Sequence, residues 1–93
     1  MSMNGKSLFL NVISENPVVA RYVQLIRMPL FLTVLDEEFS KLDGADWETE
    51  SGIRETAFRI MPDTLSQFGV PAAEADQVIE QCLAELAKKK TGE

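Results

Sequence analysis

Residues 16–44 read NPVVARYVQLIRMPLFLTVLDEEFSKLDG, and within them Val19, Tyr22, Val23, Ile26, Leu30, Val34, Leu35, Glu38, Phe39 and Leu42 recur at steps of three and four. That is the spacing of one face of an α-helix, which turns once in about 3.6 residues. Asn16 and Pro17 mark a start. The asparagine side chain accepts from the orphan amides of a first turn, and proline loses nothing at the first helical position. Asp43-Gly44 marks the end, because glycine takes up the left-handed conformation that closes a helix. The stripe runs through Pro29 without losing phase. Proline removes a backbone donor and clashes with the carbonyl of Leu25, so the segment is expected either as one helix bent at Pro29 or as two helices with almost no linker.

Downstream, Ile53, Ala57, Ile60, Met61, Leu65 and Phe68 form a second stripe that passes Pro62 and stops at Gly69, again a bent helix or a tight pair. Residues 45–52 between the stripes are polar and acidic around Trp47, and read as a loop or a frayed first turn with Asp46 as the best cap. After Val70-Pro71 a last helix opens, with Val78, Ile79, Cys82, Leu83 and Leu86 on one face and Glu74, Gln77, Gln81, Glu85 and Lys88 on the other. Acids near its start and Lys88 to Lys90 at its end suit the helix dipole. Upstream, Ser7 to Ser14 (SLFLNVIS) forms either a short helix capped by Ser7 or a strand. No run alternates apolar and polar residues as a half-buried strand does. The expected fold is therefore all-α: a compact bundle of four to five helices, two of them possible proline kinks, in a single domain over 1–93 with 1–6 and 89–93 frayed.

With 45% hydrophobic and 26% charged residues, the 93-residue chain has enough apolar surface for a globular core but not for two. A core of this size leaves modest monomer stability, which favours self-association. The formal charge is −6, and residues 36–80 hold twelve acids against Lys41, Arg54 and Arg59. Such a field repels phosphate backbones, so direct nucleic-acid binding is not expected, whereas a basic protein partner is compatible with it. The apolar run from Leu25 to Leu35 is interrupted by Arg27 and Pro29 and is too short to span a bilayer, so no membrane role is expected. Nothing resembles a secretory signal, which points to the cytoplasm.

Histidine is absent, which removes the commonest general base, the usual partner of a Ser or Cys nucleophile and the usual zinc or haem ligand. Cys82 is the lone cysteine and reads as a small buried hydrophobe. The acids of 43–50 lack the spacing of a calcium loop, and acid runs are usually solvated surface. Glu38 on the apolar stripe needs Arg27 or Arg54 as partner if buried, or reaches water at the stripe's edge. Thr64 to Cys82 has the shape of a helix-turn-helix, but Glu74 and Asp76 stand where a DNA-reading helix needs cations, so the segment reads as two packed helices. No catalytic residue, cofactor or metal site is expected.

Met28 to Leu35 (MPLFLTVL) is apolar all round apart from Thr33, and a helix apolar on every side is buried on every side. Either the other helices wrap it, or Met28, Leu30, Phe31 and Val34 also meet a second copy in a two-fold interface, with Trp47 as a rim aromatic. The functional expectation is a non-enzymatic helical interaction or accessory module, a homo-oligomer with an acidic surface for a basic partner. The alternatives are an acidic regulator imitating nucleic-acid charge, and a small-molecule-binding bundle whose cavity is lined by Phe31, Phe39, Phe58, Phe68 and Met61.

Overall fold

A computed structural model describes residues 5–90. Along these residues the chain forms α1 (Gly5–Glu15), α2 (Pro17–Tyr22), a 3-10 turn (Leu25–Arg27), α3 (Met28–Ser40), α4 (Glu50–Gln67) and α5 (Ala72–Lys90), with no strand among the described residues. The architecture is the all-α bundle expected from the two periodicities. Phe9, Val12 and Ile13 of α1 are buried at helical spacing, so the strand alternative for 7–14 falls. The helix begins two residues before Ser7, which lies inside its first turn instead of capping it.

Four of the residues expected to fray stand in helices. Gly5 and Lys6 belong to α1, and Lys89 and Lys90 to α5, while 1–4 and 91–93 lie outside the described residues. Contacts hold these turns in place. Lys6 Nζ pairs with Asp36 Oδ1 at 2.9 Å and donates to Ser40 Oγ at 3.1 Å, and Lys89 Nζ lies 3.8 Å from Glu15 Oε1.

Asn16 caps α2 as its sequence position implies, its Oδ1 accepting from the amides of Val18 and Val19 at 2.9 and 3.1 Å. Pro29 separates helices; it does not bend one. The apolar phase is not kept across it, which corrects the expected stripe. Val19 and Val23 are buried, the next inward residue is Met28, and Phe31, Leu35 and Phe39 follow, leaving Ile26 and Leu30 outside. The reason is local: Val23 and Gln24 are extended, with ψ of 108° and 150°, and the tighter 3-10 turn restarts the count.

Pro62 lies within α4, which runs through it as a single helix. Thr49, not Asp46, caps α4, its Oγ1 accepting from the Gly52 amide at 3.0 Å. Asp46 instead holds the loop, accepting from the Glu48 and Thr49 amides and from the Thr49 hydroxyl at 2.6 Å. These bonds, the Thr49 hydroxyl first, hold the Asp46 carboxyl below its ordinary value. At the other end of α4, the Val70 amide donates to Leu65 O at 2.9 Å and the Gly69 amide to Ser66 O at 3.1 Å, with Gly69 at φ 96°. This paired closure needs a left-handed residue, and it folds α5 back along α4. Ala75, Val78, Ile79, Cys82 and Leu86 of α5 complete one contiguous core with Phe9, Phe31, Leu35, Phe39, Ile53, Met61 and Leu65.

Candidate docking site

The turn between α2 and α3 exposes what the rest of the chain buries. Leu25 and Ile26 are each 86% exposed and Leu30 is 54% exposed. Three features of the sequence build this corner. Val23, the buried residue that caps the end of α2, is extended, as is Gln24, so the helix does not continue past it. The Arg27 amide then donates to Gln24 O at 2.9 Å and the Met28 amide to Leu25 O, closing one 3-10 turn. Pro29 sits in the first turn of α3, where its missing N–H is no loss, and its fixed φ starts the new helix there. Met28 and Phe31 anchor that helix inward, so the residues before and between them face out.

The corner is tied to the α4–α5 end of the bundle. Arg27 stacks over the Phe68 ring, and Phe68 meets Phe31 edge to face with centroids 5.1 Å apart. The Tyr22 hydroxyl donates to the Glu74 carboxylate, which raises the tyrosine pKa and keeps the phenol a donor. Asn16 Nδ2 donates to Gln81 Oε1 at 3.3 Å, joining the start of α2 to α5. An exposed apolar pair on a tethered turn is held in place, not left to fold back onto the core.

Residues 16–35 contain Arg21 and Arg27 and no acid, in a chain of net charge −6. The corner is thus an apolar surface flanked by Arg21 and Arg27, with the Glu74 carboxylate of α5 brought beside it by Tyr22. Elsewhere Glu37, Asp43, Glu48, Glu50, Glu55 and Asp63 form no ion pair among the described residues. Glu38 pairs with Lys41 at 3.0 Å, while Arg54 pairs with Glu80.

Of the residues singled out from the sequence, only Leu30 belongs to this surface. Met28 and Phe31 are buried in the core, and Val34 is half-buried against it. Trp47 is also half-buried and folds over the core, its ring centroid 5.0 Å from that of Phe39 and 6.3 Å from that of Phe9. Leu25 and Ile26 were missed as surface residues. The available signal was Pro29, whose ring forbids a helical carbonyl partner at Leu25 and so forces a break in phase near 25–27. Phe31, Phe39 and Phe68 fill space against other aromatics, and Met61 is fully buried in the same core.

Chemistry is sparse. Burial pushes the Cys82 thiol up to about 12, so the nucleophilic thiolate is suppressed. Among the described residues no three His, Cys, Asp or Glu side chains converge as a metal site, and no helix is long and apolar enough to cross a membrane. No protein-family model, curated protein or solved structure matches the chain.

Proposed function

We propose that the protein is a non-enzymatic helical interaction module that self-associates through the corner formed by Leu25, Ile26 and Leu30. The observation that supports this is the side-by-side exposure of Leu25 and Ile26, each 86% accessible on a fixed turn. Single exposed leucines are ordinary, but adjacent large aliphatics presented by a rigid element mark interaction surfaces. Charge favours a second copy at this place. The bodies repel one another through their net −6, and a stretch that carries Arg21 and Arg27 and no acid of its own lets an acidic surface of a second copy approach it.

Removing three such side chains from water stabilises by roughly 5–9 kcal/mol, comparable to the ~4–15 kcal/mol cost of association. The contact is therefore reversible and weaker than micromolar, of submillimolar strength at best. Light scattering coupled to size exclusion, run over a concentration series, tests it. The wild type gains mass with concentration, and Leu25→Asp/Ile26→Asp stays monomeric with an unchanged helical spectrum. Identical monomers for both proteins up to millimolar concentration would refute the reading.

A further inference from the structure

The far end of the α4–α5 hairpin carries a groove whose floor is Ile53, Leu83, Leu86 and Ala87 and whose rim holds Glu48, Glu50 and Lys90, with a volume of about 250 Å³. Ile53 and Leu86 are buried, Leu83 is half-buried and Ala87 is open to solvent. That volume lies below the usual range of small-molecule sites, roughly 300 Å³ and upward, and suits one or two aliphatic side chains. The groove is the counterpart of the corner in three respects: concave against convex, apolar floor against apolar tip, and Glu48 and Glu50 against Arg21 and Arg27. Lys90 on the lip leaves the rim with net charge −1, from two acids and one base.

Building on the self-association reading, we propose that the Leu25–Ile26 corner of one copy seats in the α4–α5 groove of a second copy, so that copies stack head to tail. The two surfaces stand toward opposite ends of α4, so a corner can meet a groove only between copies. Arg27 holds the corner to Phe68, at the end of α4, while the groove begins at Ile53. Fifteen residues of helix, 53 to 68, separate them by roughly 22 Å, in a body with a largest extent of 30 Å. A copy cannot reach its own groove. Corner-to-corner docking is disfavoured by contrast, because it sets two convex tips together and brings Arg21 and Arg27 of both copies close to one another. A contact between different surfaces does not close on itself unless a rotation returns to the start, so each added copy presents a free groove and a free corner.

Two variants block one surface each. Leu25→Asp/Ile26→Asp removes the tip and keeps the groove, and Ala87→Arg fills the groove and keeps the tip. Glu48→Arg, at an exposed loop position, blocks the rim independently of α5 should Ala87→Arg fail to fold by circular dichroism. By sedimentation velocity, wild-type mass rises past the dimer with concentration. Each variant alone is monomeric, its association at least about tenfold weaker, as loss of one aliphatic contact implies. An equimolar mixture forms a one-to-one pair that grows no further. Wild-type-like association of both groove variants, or an equimolar mixture that forms no pair, overturns the corner-in-groove contact and leaves self-association standing. A wild type that remains monomeric overturns both.

Discussion

The guanidinium of Arg27 lies 4.9 Å from the centre of the Phe68 ring, joining the turn before α3 to the residue that caps the end of α4. The contact fixes where Leu25 and Ile26 stand, since Arg27 closes the same 3-10 turn. An Arg27→Ala substitution removes it and is expected to lower stability by about 0.5–1 kcal/mol, as for a cation over an aromatic face at an exposed site. Urea unfolding followed by circular dichroism measures this. An unchanged midpoint would mean that the stack does not hold the corner.

Leu30 and Phe31 are neighbours in sequence and opposites in burial, 54% and 0% exposed. Phe31→Ala is expected to cost about 3–5 kcal/mol, a large part of the stability of a domain this size. Leu30→Asp, an acid in the first turn of α3, is expected to shift stability by no more than about 0.5 kcal/mol. If the two costs were equal, the phase of α3 described above would be wrong. The contrast also makes Phe31→Asp a poor test of assembly, because unfolding would imitate dissociation.

Gly69 has φ 96° and an open space where a Cβ would stand. The penalty for a side chain there is conformational, with no clash to add to it. Gly69→Ala is expected to destabilise by about 1–2 kcal/mol, and Gly69→Asn by less, because asparagine tolerates the left-handed region better. Thermal unfolding of the three proteins side by side gives the order.

Cys82 is buried, and its pKa rises from 9.0 to about 12 through loss of hydration. A raised acid pKa means that the fold favours the neutral thiol. Its contribution is complete below pH 9 and is lost as pH climbs from there toward 12. At neutral pH a disulfide reagent is expected to label the native protein far more slowly than the urea-unfolded chain, at a rate set by opening of α5. Equal labelling rates would place the thiol at the surface.

The fold was legible because stripes with a period of three to four cannot be satisfied by strands, and Asn16-Pro17 and Gly69 punctuate them unambiguously. The docking surface was less so. Reading Ile26 and Leu30 as part of one unbroken stripe assumed that helical phase survives Pro29, when the extended Val23 and Gln24 reset it. Met28 and Phe31 then took the inward positions, and the apolar pair just before them was left outside. The role of Trp47 depends on Phe9 and Phe39, distant in sequence, and no local pattern encodes that contact. The groove at Ile53 and Leu86 was hidden for the same reason, since it exists only where residues of α4 and α5, distant in sequence, come together.

The most direct test of self-association is light scattering of the wild type beside Leu25→Asp/Ile26→Asp from micromolar to millimolar concentration, at low and high salt. A wild-type mass that rises with concentration at both salts, beside a folded variant that stays at 10.4 kDa, is the expected result. A wild type that also stays at the monomer mass, or a variant that associates as the wild type does, would contradict it.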